Sequence, residues 1–173
     1  ETSIRQRRFK VWYQPVFNLK TNRFSSAEAL LRLRDYDGEP VSPAEFIPLA
    51  EETGLIDDLS WIVLEEVCML LGHMSGQIDS ISINLSMQQF EDRNLSGRIN
   101  ACLKRSGLSP DKLKIEVTER VLLQDMDYMR MIMEEMTGEG FGFYLDDFGT
   151  GYSNISCALS LPFEYIKLDR SLL

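Results

Sequence analysis

The sequence predicts an α/β fold, a TIM-like β/α barrel with an antiparallel first strand, and three observations lead to it. Segments with strand periodicity alternate with segments of helical periodicity along the chain. Five of the strands carry polar side chains in phase opposite to their aliphatic ones. Those polar residues lie toward the C-terminal ends of their strands, the rim at which β/α barrels build their sites. Six strand candidates in 173 residues fall short of a full barrel, which takes eight strands and about 250 residues. The last strands and helices are therefore expected to be missing and the barrel open.

The strands are expected near Val11 to Phe17, Arg23 to Leu33, Ser80 to Leu85, Lys112 to Thr118, Phe141 to Asp146 and Phe163 to Leu168. Asn18 to Asn22 is long enough only for a hairpin turn, whereas a parallel crossover needs about a dozen residues or more. The first pair is antiparallel on that ground. Ser42-Pro43-Ala44-Glu45 reads as an N-cap, a proline at the first helical position and a capping-box glutamate. Gly54 supplies the stop. A second helix is expected from about Asp57 to Leu71, ending at Gly72. Ser86 and Gln89 form another capping pair ahead of a helical region that ends near Gly107. Asp125 opens a helix carrying Met126, Met129, Met133 and Met136. That stripe belongs to a face packed on a sheet rather than to an adaptable binding surface. No repeat, low-complexity tract or long linker interrupts the chain, so residues 1–173 are expected to form one domain.

Composition narrows the function. The 44% hydrophobic and 26% charged content is ordinary for a soluble globular protein. No stretch approaches the roughly 20 apolar residues of a membrane span, so no membrane contact by the domain itself is expected. Glu1 to Lys10 lacks the apolar core of a secretory signal. A formal net charge of -9 argues against a groove for DNA or RNA polymers. A smaller phosphate ligand still fits if divalent cations bridge acid and phosphate. Cys68, Cys102 and Cys157 are odd in number and widely spaced, which suits buried thiols in a reducing cytosol better than disulfides or a zinc motif. His73 is the only histidine and lies just past a helix stop, so no histidine base is expected.

The chemistry lies in the recurring phase. In Ile81 to Leu85, the aliphatic residues share one face and Asn84 takes the other. Glu116 opposes Leu113, Ile115 and Val117, and Asp146 does the same in its strand. Glu28 and Arg32 share a face opposite Ala27, Ala29, Leu31 and Leu33, while Lys167 opposes Ile166 and Leu168. With the aliphatic faces turned out beneath helices, these polar groups converge inside. Several carboxylates in one place cannot all stay ionised without cations, and oxygen ligands suit Mg²⁺ or Mn²⁺ rather than zinc. Asp147 beside Asp146 allows one carboxylate to bridge two ions that clamp a phosphodiester for in-line attack. Singly, a strand-end acid is explained by solvation or a salt bridge, and Lys167 by a neighbouring acid. Five strands in phase are not. The loop from Asp147 to Ser153 contains the kinase triplet Asp-Phe-Gly, but neither a kinase glycine-rich loop nor a His-Arg-Asp catalytic loop accompanies it. Its glycines are a weak phosphate-loop signal, since a need for positive φ explains them equally.

Seven segments occur in order: Tyr13-Gln14-Pro15-Val16, EALLR at Glu28 to Arg32, SPAEFIPLAEETGLI at Ser42 to Ile56, SINLS at Ser82 to Ser86, EVTE at Glu116 to Glu119, LDDFGTGYS at Leu145 to Ser153, and IKLDRS at Ile166 to Ser171. On them the chain resembles the EAL domain family of bacterial cyclic-di-GMP phosphodiesterases, over essentially its whole length. The resemblance implies a hydrolase that opens cyclic-di-GMP to linear pGpG in bacterial second-messenger signalling, including biofilm regulation. It implies Glu28, Asn84, Glu116 and Asp146 as ligands of a first Mg²⁺ or Mn²⁺ ion, and Asp147 as a ligand of a second, with Asp146 shared. Lys167 is implied as the catalytic residue that orients the attacking water, with Glu28 also catalytic. Arg32 matches a substrate-phosphate contact, Gln14 a nucleotide contact, and Glu119 the anchor of the loop beginning at Asp147.

The same resemblance implies a homodimer, an upstream GGDEF or sensory domain, and a cytoplasmic location, free or as the cytoplasmic part of a membrane-anchored protein. Leu33 stands where the family often has tryptophan, and Asn154 where serine is frequent; neither position has an assigned chemical role. The family continues past Leu173 with another metal-site glutamate and a substrate-site glutamine. A chain ending there is expected to be inactive or nearly so, and to complete its sheet by oligomerising or swapping elements. Two other readings stand beside the enzyme: a catalytically inactive EAL domain that binds cyclic-di-GMP or a protein, and a hydrolase of a different phosphodiester.

Overall fold

The computed structural model describes residues 8–74, 76–122, 124–149 and 160–172. Strands β1 (Phe9–Asn18) and β2 (Arg23–Arg34) form an antiparallel hairpin. Asn18 shapes its turn: the side-chain oxygen accepts from the amides of Lys20 (2.9 Å) and Thr21 (3.1 Å). Asn22 closes it at φ 54°, a left-handed conformation that asparagine tolerates. A two-residue strand, β3 (Pro40–Val41), pairs with β2 and is too short to show any hydropathy period.

The chain continues through α1 (Pro43–Glu52), α2 (Leu55–His73), β4 (Ser80–Asn84), α3 (Met87–Phe90), α4 (Leu95–Arg105), β5 (Leu113–Thr118), α5 (Glu119–Leu122), α6 (Met126–Gly138), β6 (Gly142–Phe148) and β7 (Phe163–Leu168). The sheet order is β1-β2-β4-β5-β6-β7, and each pairing from β2 to β7 along this path is parallel. Among the described residues β1 and β7 remain edges. The fold is thus an open TIM-like β/α barrel with an antiparallel first strand, and all six expected strands are present.

Helix boundaries differ from expectation at several points. Ser42 holds the N-cap position and Pro43 the first helical one, but the Ser42 hydroxyl caps no amide, so this capping box does not form. α2 starts at Leu55 rather than Asp57, because Gly54 at φ 72° turns the chain from one helix directly into the next. It also runs through Gly72 to His73, where the Met74 amide closes the last turn on the Leu70 carbonyl at 2.9 Å. A glycine lowers helix stability by about 1 kcal/mol without ending it. The region from Ser86 to Gly107 divides into α3 and α4, since Asp92 accepts from the Asn94 amide at 2.9 Å and so offers the backbone a turn instead. The Ser86–Gln89 pair forms as expected, with Gln89 Oε1 accepting from the Ser86 amide at 2.7 Å.

The core lies between the helices and the outer face of the sheet. Ile81, Ile83, Ile115, Val117, Phe143 and Leu145 bury themselves against Val67, Leu71, Ile99, Leu103 and the α6 methionines. Met129, Met133 and Met136 are buried, so the methionine stripe is a packing face. Cys68 and Cys102 are buried free thiols, and burial pushes the Cys68 thiol up to about 12. Cys157, Asn154 and the loop from Thr150 to Ser153 lie outside the described residues. No helix among the described residues is long and apolar enough to cross a membrane.

Met133 is fully buried. Met133→Ala is expected to lower the unfolding free energy by about 2–5 kcal/mol, read as a lower urea midpoint at unchanged slope.

Candidate functional site

The inner face of the sheet is polar because alternation leaves it so. Gln14 pairs with Glu28 across the hairpin, Glu28 with Ser82, and Asn84 with Glu116. The stagger between strands brings side chains from different registers to one place. Oxygens of Glu28, Glu116 and Asp146 lie within 4.8 Å of one another. Octahedral coordination at about 2.1 Å per bond sets comparable oxygen separations, so the three fit one divalent cation. Asn84 Nδ2 donates to Glu28 Oε1 at 3.1 Å, which fixes that carboxylate from the neighbouring strand. Lys167 enters from β7 and places its ammonium 2.6 Å from Glu116, 2.8 Å from Glu28 and 3.1 Å from Asp146.

Two adjacent aspartates on a regular strand would point to opposite faces. A bulge changes this. Leu145 pairs with Ile166 and Phe148 with Leu168, so Asp146 and Asp147 together oppose Lys167, with Asp147 at φ 53°. Bulges re-aim side chains in this way beside active sites. Asp147 lies at the rim, outside the three-carboxylate group; partial burial and then the charge of Asp146 hold its carboxyl above the usual range. Glu119, the first residue of α5, is buried and accepts from the Gly149 amide at 3.2 Å, joining the end of β6 to the end of β5.

The remaining expected residues sit further out. Arg32 lies four residues beyond Glu28 on β2; it donates to the Leu31 carbonyl at 3.0 Å and lies over Trp12 at 5.9 Å. It is not part of the carboxylate cluster. Gln14 is adjacent to Glu28 through the hairpin register. Ser82 is a contributor that the sequence reading passed over: it is buried, its hydroxyl donates to the Ala27 carbonyl at 3.5 Å, and its polarity favours the ionised form of Glu116. Its place two residues before Asn84, on the same strand face, was the available signal.

Electrostatics explain the need for cations. Burial, and after it the charge of Glu28, pushes the Glu116 carboxyl up to about 7, although Lys167 and Ser82 pull the other way. Burial alone would lower the Lys167 ammonium, but Glu116 and Glu28 outweigh it and hold the lysine above its ordinary value. Three carboxylates and one ammonium carry a formal charge of -2, which one divalent cation balances.

Fold and site together define a class: a β/α-barrel domain whose strand ends gather a carboxylate-rich cation site. The EAL domain profile matches residues 1–173, and the chain belongs to the EAL domain family. It is 36% identical over 171 residues to the signaling protein YkoW of Bacillus subtilis, covering 98% of this chain and 21% of that protein. It is also 36% identical over 171 residues to MucR of Pseudomonas aeruginosa, a bifunctional diguanylate cyclase/cyclic di-GMP phosphodiesterase, covering 97% of this chain and 25% of MucR. The solved structure of the MucR phosphodiesterase in complex with c-di-GMP matches with a TM-score of 0.89 at 34% identity, over 98% of this chain and 70% of that one. The chain therefore spans about a fifth to a quarter of the length of these curated relatives.

Because the Glu116 carboxyl is raised to about 7, it is protonated below that pH and must lose its proton to ligate a cation. Mn²⁺ affinity is expected to fall as the pH drops from about 7 to about 5, with proton release on binding, both read by calorimetry in buffers of different ionisation heat. Affinity independent of pH across this window would contradict the assignment of Glu116 as a ligand.

Proposed function

We propose that this chain is the metal-binding portion of a phosphodiesterase domain that hydrolyses cyclic-di-GMP to linear pGpG. The observation that supports it is the convergence of Glu28, Glu116 and Asp146 on one point, with the Lys167 ammonium within 3.1 Å of all three. In this reading Glu28, Asn84, Glu116 and Asp146 hold a first Mg²⁺ or Mn²⁺, and Asp146 and Asp147 hold a second. When bound, the two ions supply Lewis-acid charge against the phosphodiester and make water nucleophilic at neutral pH.

The chain's own groups handle position and charge. Lys167 keeps its proton at neutral pH and so cannot act as the base; it donates a hydrogen bond to the attacking water and orients it in line with the scissile bond. Attack forms a bond from water oxygen to phosphorus and breaks the bond from phosphorus to the 3′ oxygen, which leaves as a hydroxyl. Glu28, held by Asn84, keeps its oxygens at the reacting centre. Arg32, further along the same face of β2, suits a phosphate oxygen of the dinucleotide by its forked donors. Gln14 stands beside Glu28 as a nucleotide contact. A cavity of about 240 Å³ is lined by Arg32 and Asn84, one of about 580 Å³ by Gln88, Glu119 and Asp147, and one of about 550 Å³ reaches Glu116 and Lys167. The bond from Glu119 to Gly149 suits an anchor for the loop that starts at Asp147.

The setting belongs to the same proposal: a cytoplasmic domain acting as a homodimer, joined in its parent protein to a GGDEF or sensory domain. MucR, which combines two opposed activities, supports that arrangement.

Incubation of the full-length parent protein with cyclic-di-GMP and Mn²⁺ or Mg²⁺, followed by chromatography of the products, is expected to yield pGpG. Asp146→Asn should lower the rate by at least about tenfold. Binding without turnover would favour a non-catalytic receptor, and indifference to this ligand a different phosphodiester. Full turnover by Asp146→Asn would remove the proposed metal role of that residue.

A further inference from the structure

Strand β7 changes phase partway along its length. Phe163 pairs with Phe143 and Ile166 with Leu145, and all four pack in the core on the helix side of the sheet. Between them Tyr165 pairs with Tyr144, with the two rings edge to face at 5.2 Å and both lining the inner cavity. Two outward residues three positions apart cannot belong to a regular alternation. One residue has been inserted, and it is Glu164, which no residue of β6 opposes. A strand alternating regularly from Phe163 would send Lys167 to the helix side, away from the carboxylates. The bulge turns it inward.

Charge and space hold that bulge. Glu164 turns into the barrel and accepts from Lys114 Nζ at 2.8 Å, where the Lys114 side chain is only 12% exposed. Lys114 lies two residues before Glu116 on β5 and pairs with Gly142 on β6. A Cβ at Gly142 would overlap the Glu164 carboxylate and come within 2.6 Å of Lys114 Nζ. Gly142 has no positive φ, so what glycine provides there is room for the ends of Glu164 and Lys114, which a side chain would displace. A single cavity of about 550 Å³ joins Lys114 and Glu164 to Glu116 and Lys167.

We propose that the Lys114–Glu164 ion pair, seated over the bare backbone of Gly142, is a positioning device that holds the β7 bulge and so aims Lys167 at Glu28, Glu116 and Asp146. Neither residue contacts the carboxylate cluster, so both are positioning residues. The functional part of this inference rests on the reading of Lys167 as catalytic.

Two measurements on the full-length parent protein test it. The first is the rate at which acetic anhydride modifies Lys167, followed by peptide mass spectrometry, which needs no turnover. The second is kcat and KM for cyclic-di-GMP with Mn²⁺. Glu164→Ala and Gly142→Ala are each expected to speed Lys167 modification and to lower kcat by about tenfold or more, with KM within about twofold. The double variant should be no worse than Glu164→Ala alone, because both changes break one contact; a general loss of stability would add instead. Glu164→Gln, which keeps the shape, serves if the alanine variant fails to fold, and should shift both readouts the same way. Wild-type modification rates in folded Glu164→Gln and Gly142→Ala would overturn the proposal. A wild-type parent protein that protects Lys167 yet leaves cyclic-di-GMP intact would sink the proposed function alone, and the modification rates would still decide the role of the ion pair.

Discussion

Mutual repulsion among Glu28, Glu116 and Asp146 is the constraint on which the rest depends. At separations below 4.8 Å, each pair of ionised carboxylates repels by on the order of 3 kcal/mol at an effective dielectric of about 20. The side chains could relieve this by turning away, but each is set by a strand with buried aliphatic neighbours, on both sides of Glu28 and Glu116 and at Leu145 before Asp146. Turning any of them would pull Ile115, Val117 or Leu145 out of the core. The hydrophobic packing thus holds the charges together, and Lys167 offsets part of the repulsion from the adjoining strand. The charge left over is one that a divalent cation would balance.

Two irregularities in an otherwise regular sheet convert this constraint into a site. The bulge at Asp146 and Asp147 brings consecutive acids to the same rim, and the bulge at Glu164 turns Lys167 inward. Both lie along the β6–β7 pairing, at opposite ends of it. The regular strands supply ligands at fixed levels, and the irregular pair supplies the groups whose direction matters most. Glu119 ties the two regions together through the Gly149 amide.

Much of this was legible from residues alone. Glu28, Asn84 and Glu116 stood out because an aliphatic neighbour on both sides fixed their phase, and Asp146 because Phe143 and Leu145 before it did so, and phase is a local property. The antiparallel hairpin followed from the length of the segment between Asn18 and Asn22. Other features were hidden because they arise from contacts remote in sequence. Glu164 reads as an unremarkable strand residue until Lys114, 50 positions earlier, is placed beside it. Gly142 looks like a weak point in a strand until the ion pair above it is seen. Ser42 has the right neighbours for a capping box, yet its hydroxyl makes no cap, since the Pro43 start and the packing of Phe46 and Ala50 suffice to set the helix.

The amino-acid order alone determined the strand faces, the helix positions within a few residues and the family, because period-2 and period-3.6 patterns and ordered motifs are written along the chain. Tertiary structure alone decided which acids meet, how the ammonium reaches all three, and where the alternation is broken. The reason is physical: a side chain's face is set by its nearest neighbours, whereas the distance between two charges depends on how every strand between them is paired.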